Sequence, residues 1–186
     1  MKKLLTGINY LLNAIGEPPL LNESDYSLSY EAVLANNQIE ATKEEVLSEG
    51  FKFNTITQEL IPNAKGYISV PPSALTLEFK DNNLTINDGL VFNRTTFTRK
   101  FDTPQEVTII YNEDFDYIPT VLQKYIITKA CLVFQRDTIN DTTVAQGLEK
   151  DVQTAFMNLN KWKIKQAKAN GLNSRFDRTT NPTGSF

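Results

Sequence analysis

Apolar residues recur at three- and four-residue steps toward both ends of this chain and alternate with polar ones in its middle. Leu4, Leu5, Ile8, Leu11, Leu12 and Ile15 make one wide apolar face, which predicts a helix from about Lys2 to Ile15. Gly16 supplies its stop, and Pro18-Pro19 cannot continue it. A second helix is expected from Ser24 or Asp25 to Gly50, with Leu28, Ala32, Ala35, Ile39, Thr42 and Val46 on its apolar side. Its other side carries Glu31, Glu40, Glu44, Glu45 and Glu49.

Between Phe51 and Tyr111 the period changes to two. Phe51-Lys52-Phe53 and Leu75 to Phe79 alternate, as strands do. Leu84-Thr85-Ile86 and Leu90-Val91-Phe92 flank Asn87-Asp88-Gly89, a pair of strands around a hairpin turn that tolerates positive backbone dihedrals. Val107 to Tyr111 is apolar on both sides and is expected in the centre of a sheet. Pro62, Pro71-Pro72 and Pro104 fall between the runs, where a missing N–H is harmless.

Helical periodicity then returns. Pro119 suits a first-turn position, followed by a core stripe of Leu122, Ile126, Ala130 and Val133, widened by Tyr125, Ile127 and Phe134. A last helix is expected after Asp141-Thr142, running to about Asn170-Gly171 on Val144, Leu148, Val152, Ala155, Leu159 and Trp162. Gly147 inside it costs about 1 kcal/mol relative to alanine. These elements predict an α+β fold: a four-helix bundle with an antiparallel β region inserted between helices 2 and 3. The expected domains are a discontinuous helical one of residues 1–50 and 117–170, a β insertion of 51–116, and a flexible C-terminal tail of 171–186, polar and poor in apolar surface.

Composition narrows the chemistry. The 186 residues include no histidine and one cysteine, Cys131. That removes Ser-His-Asp and Cys-His nucleophile systems, histidine metal ligands and thiolate zinc or iron–sulfur sites. Cys131 reads as a buried apolar residue on a helix. A net charge of −3 argues against a dedicated nucleic-acid-binding domain. Met1-Lys2-Lys3-Leu4-Leu5 has the front of a signal peptide, but Asn9, Asn13 and Glu17 interrupt it. The expectation is an aqueous, cytoplasmic site of synthesis.

Glu113, Asp114 and Asp116 form the densest carboxylate cluster. Such a cluster can bind a divalent cation or supply acid and base, yet it equally suits an acidic turn before the Pro119 helix, whose dipole favours acids there. Gly66 and Gly89 belong to no phosphate-cradling pattern, and no cofactor is expected. Tyr67, Phe79, Phe92, Phe97 and Phe101 can stack on bases or sugars, but their alternating spacing favours sheet core. From Lys161 to Arg178 six cations (Lys161, Lys163, Lys165, Lys168, Arg175 and Arg178) stand against one acid, Asp177. Opposite charge on separate elements of one chain suits packing of one subunit face on a different face of its neighbour.

Three segments carry a resemblance. Ile8-Asn9-Tyr10-Leu11-Leu12-Asn13-Ala14-Ile15-Gly16-Glu17-Pro18-Pro19 resembles the opening of the tail tubular protein A family of short-tailed bacteriophages. Glu49-Gly50-Phe51-Lys52-Phe53-Asn54 resembles the step from that family's long second helix into its first strand. Tyr117-Ile118-Pro119, followed by Tyr125-Ile126-Ile127-Thr128-Lys129-Ala130 and Phe134, is similar to its third helix. The resemblance covers about residues 4 to 165 and leaves the segment from Gly171 aside.

The resemblance implies a structural virion protein made in the host cytoplasm and placed at the head–tail junction. Twelve copies would form an adaptor ring that docks under the portal protein, carries the tail nozzle, reaches toward the tail fibres, and lets DNA pass without sequence-specific binding. No membrane partner is implied. Lys161, Lys163, Lys165, Lys168, Arg175 and Arg178 are then candidates for portal or intersubunit contact. Glu40, Glu44, Glu45 and Glu49 are candidates for the opposing intersubunit face. The competing readings are another connector ring or stopper, a carboxylate glycosidase using Asp114 or Asp116, and a nucleic-acid-binding module using the basic end.

Overall fold

A computed structural model describes the backbone of residues 3–179; residues 180–186 of the expected tail lie outside it, as do the side chains of Glu23, Tyr26, Leu28 and all from Ala169 onward. The chain is α+β. Helices α1 (Lys3–Ala14) and α2 (Tyr30–Leu47) precede strands β1 (Thr55–Leu60), β2 (Ala74–Phe79), β3 (Leu84–Asn87), β4 (Leu90–Asn93) and β5 (Gln105–Tyr111). Helices α3 (Thr120–Thr138) and α4 (Thr142–Thr179) follow. Two compact units result, one of Met1–Ile39 with Ile118–Phe186 and the other of Glu40–Tyr117.

In the first unit, α1 buries Leu5, Ile8, Leu11 and Leu12, the face its spacing predicted. The helix closes at Gly16, whose φ of 82° lets the Glu17 N–H reach back to the Leu12 carbonyl (3.0 Å) while the Gly16 N–H reaches that of Asn13 (3.2 Å). The prolines then turn the chain back, and Asn9 holds the return. Its amide donates to the Leu20 carbonyl (2.9 Å) and accepts from the Leu20 N–H (2.8 Å). A Cβ on Gly7 would stand 3.2 Å from Ile127 and 3.3 Å from Ile39, so glycine there lets α1 approach α3 and α2 closely.

Helix α2 starts later than its periodicity suggests. Ser29 accepts the Ala32 N–H on its hydroxyl (3.2 Å), which caps a helix at Tyr30. Residues Glu23–Leu28 form a separate 3₁₀ turn. Downstream, Ala32, Ala35, Ile39, Thr42 and Val46 are buried as expected.

Helix α3 buries Leu122, Ile126, Ala130, Cys131 and Phe134, and with them the polar Gln123, Thr128 and Gln135. Thr128 turns its hydroxyl onto the Lys124 and Tyr125 carbonyls (3.0 and 3.1 Å). Gln135 donates to the Asp141 carbonyl (3.1 Å), and Asp141 caps α4 by accepting the Thr143 and Val144 N–H groups. Helix α4 packs on α3, and its first half buries Ala145, Leu148, Ala155 and Leu159. Val144, expected in that stripe, is 38% exposed, because Ala145 takes the inward position. The α4 backbone runs through Asn170-Gly171, where a stop was expected, to Thr179.

The second unit centres on an antiparallel sheet in the order β1-β5-β2, with β5 in the middle as its two-sided apolar pattern requires. The β3–β4 hairpin turns on Asp88 and Gly89, both at positive φ (53° and 72°). Ile68, Leu84, Val91 and Phe101 form a small core beside it, against which Leu60 and Phe79 pack.

Phe51-Lys52-Phe53 does not form the strand its alternation suggests; it is a turn. Asn54 is the cause. Wholly buried, it accepts the Phe51 N–H (2.8 Å) on its side chain and donates to the carbonyls of Leu47 (3.1 Å) and Tyr111 (3.0 Å). Its own backbone bonds the Phe51 carbonyl and the Tyr111 N–H (3.0 and 2.8 Å).

Replacing Asn54 by alanine strands one buried donor and leaves two carbonyls short of a partner. We expect a loss of roughly 2–5 kcal/mol in denaturant unfolding. Asn9→Ala, which opens a partly buried pair, is expected to cost about 1–2 kcal/mol. Equal losses, or none at Asn54, contradict this ranking.

Candidate functional site

The acidic side of α2 is not uniformly free surface. Glu40 pairs with Lys43 (2.5 Å), whose side chain is only 6% exposed, so Glu40 neutralises a buried ammonium. Glu44 accepts a hydrogen bond from Asn112 (3.2 Å). Glu45 and Glu49 are exposed. Periodicity placed Thr42 inside but gave no sign that Lys43 would follow it. The signal available was the Glu40/Lys43 spacing of three, which puts the two side chains on one face.

The basic side is divided similarly. Lys161, Lys165 and Lys168 are exposed on α4, whereas Lys163 is half-buried beside Trp162 in sequence. Leu159 is the last buried residue among the described side chains of α4. Arg175 and Arg178 lie on the helical backbone, with side chains outside the described residues.

Among the carboxylates, Asp114 folds back on its own turn. It accepts the Asp116 N–H on its side chain (3.0 Å) and the Tyr117 N–H on its carbonyl (3.0 Å), closing a 3₁₀ turn whose buried member is Phe115. No group of three His, Cys, Asp or Glu able to hold a metal ion occurs among the described residues. No described helix is long and apolar enough to cross a membrane.

Of the aromatics, Phe101 and Phe79 join the small core, and Tyr67 and Phe92 are half-buried. Phe97 departs from the core expectation. It is 82% exposed, at φ 52°, edge-on to Phe92. Asn93 accepts the N–H groups of Thr95 and Thr96 and donates its own N–H to the Thr98 carbonyl, inserting a turn that breaks the alternation.

A polar network missed by periodicity joins three helices of the first unit. The Tyr10 hydroxyl donates to Asp151 (3.1 Å), and the Lys124 ammonium lies 4.8 Å from the Tyr10 ring centre. Burial, and then the Asp151 charge, push the Tyr10 hydroxyl up to about 12. Burial also pushes the Cys131 thiol up to about 12, reinforced by Asp151 and opposed by Lys124. Both groups are neutral when protonated, so their raised folded values favour the native state below the unfolded values near 9 and 10. That contribution fades as pH climbs toward 12. Thermal midpoints should therefore fall above pH 9, and Tyr10→Phe should flatten part of the fall; an identical alkaline slope in the variant contradicts this assignment.

Residues 5–169 match the tail tubular protein family, a stretch that takes in the β region and reaches both units. Over 117 residues the chain is 30% identical to tail tubular protein A of Klebsiella phage KP34, covering 62% of each protein. With most of its length and all its strands inside the matched stretch, the chain belongs to the tail tubular protein family, the structural proteins of bacteriophage tails.

Proposed function

We propose that this chain is the subunit of an adaptor ring at the head–tail junction, joining the portal protein to the tail nozzle around the DNA exit channel. The observation that carries this reading is the length of α4. At 38 residues it is about 57 Å long, twice α3, and among its described side chains none after Leu159 is buried. A helix that outruns its own core exposes surface that a partner can cover. The family match supports a tail component, and the resemblance supplies twelve as the number of copies. The function is recognition rather than catalysis: Lys161, Lys165 and Lys168, with Lys163, Arg175 and Arg178, meet the portal or a neighbouring copy. Glu40, Glu44, Glu45 and Glu49 face a neighbour, Glu40 while paired with Lys43 and Glu44 while bonded to Asn112. The nozzle protein, and tail fibres through it, are the further partners. A net charge of −3 keeps the ring from holding the DNA that passes through it.

The solution mass of the purified chain, alone and with the portal of the same phage, tests this. We expect a ring in at least one condition. Exchanging Lys161, Lys165 and Lys168 for glutamate should weaken portal binding at least about tenfold and reduce its salt dependence. A chain that stays monomeric and ignores the portal contradicts the adaptor role and points to another ring of the connector.

A further inference from the structure

Gly147 sits inside α4, where glycine weakens a helix relative to alanine, yet no described neighbour crowds it and its φ is not positive. A Cβ built there meets no atom within 4 Å. It borders a groove of about 350 Å³ between α1 and α4, walled by Tyr10, Ala14, Val144 and Leu148. Asp151 stands on its rim, exposed and hydrogen-bonded to Tyr10.

The same helix carries a surface of complementary character. Met157 and Ile164, each 55% exposed, alternate with the exposed Lys161 and Lys168 at steps of four, three and four, which aligns all of them on one stripe. From Met157 to Ile164 is seven residues, as is the groove's span on α4 from Val144 to Asp151; each is about 10 Å. The stripe has apolar teeth with cations between them, and the groove has the apolar Ala14, Val144 and Leu148 in its lining beside Asn13, with the Asp151 carboxylate at its edge. At 3.6 residues per turn, the stripe and the groove lie about 120° apart around α4 and at different heights along it, so the two cannot meet within one molecule.

We infer that the α1–α4 groove receives the Met157–Lys168 stretch of α4 from another copy of this chain, with Met157 and Ile164 seated over Gly147 and Lys161 set against Asp151. Gly147 then serves the neighbour: without a side chain, it lets the incoming helix approach closely. Because the two patches differ and face different ways, the contact is heterologous, the kind that propagates from copy to copy and closes into a ring when the rotation permits. The inference rests on the ring reading above and names the surface through which the ring forms.

The test uses the full chain. Gly147→Met fills the groove, and its side chain has room within the subunit; Ile164→Asp removes an apolar tooth from an exposed position. Sedimentation equilibrium and thermal unfolding are measured on both. Gly147→Met should raise the unfolding temperature and Ile164→Asp should leave it unchanged, while each weakens self-association at least about tenfold. If both variants assemble as the unaltered chain does, the groove assignment is overturned and the ring stands on other faces.

If assembly needs the portal, a Gly147→Cys chain is mixed with an Ile164→Cys chain on the portal and oxidised. Disulfide-linked dimers well above those of an Ile164→Cys chain alone support the contact, and no excess overturns it. A chain that never gains mass, with or without the portal, overturns both the groove and the ring.

Discussion

Much of the second unit hangs on the side chain of one buried asparagine. A carboxamide offers two donors and one carbonyl acceptor, and Asn54 places all of them on backbone: the end of α2 at Leu47, the turn at Phe51 and the end of β5 at Tyr111. Its own main chain bonds Tyr111 again. The register follows directly, since the next residue, Thr55, pairs with Ile110, and β5 then pairs with β2 on its other edge. One residue thus closes a helix, shapes a turn and sets the phase of a three-stranded sheet. No aspartate can replace it, because both carbonyls need a donor.

Periodicity made most of the fold legible. The stripes of α1, α2 and α3, the Asp88-Gly89 hairpin and the central place of β5 were all readable, because each follows from burial of one face or two. What escaped was decided by single polar side chains. Ser29 moved the start of α2, Asn54 converted an alternating Phe-x-Phe into a turn, and Asn93 put Phe97 outside. Gln123, Thr128 and Gln135 entered the core of α3, at least Thr128 and Gln135 by bonding nearby backbone. Hydrophobic patterning cannot register such choices, since it scores each of these residues as surface. The candidate contact residues were legible as charge but not as partners. Glu40 spends its charge on Lys43, a pairing visible only once Lys43 is known to be buried.

The two ends of α4 divide its labour. Its first half is ordinary bundle helix, capped by Asp141, packed on α3 and tied to α1 through Asp151 and Tyr10. Among the described side chains after Leu159 none is buried, and Met157 and Ile164 stand exposed on the same stripe as Lys161 and Lys168. The interior of this chain stabilises the subunit, and what lies outside it is suited to contact with other chains. That arrangement fits a structural protein of a phage tail, whose work is done by surfaces in an assembly.

Electron cryomicroscopy of the purified virion tests the central claim most directly. It should show a ring of this chain between the portal and the nozzle, with the second half of each α4 in contact with other subunits. A virion in which the chain lies elsewhere in the tail, or in which α4 ends free in solvent, would contradict it.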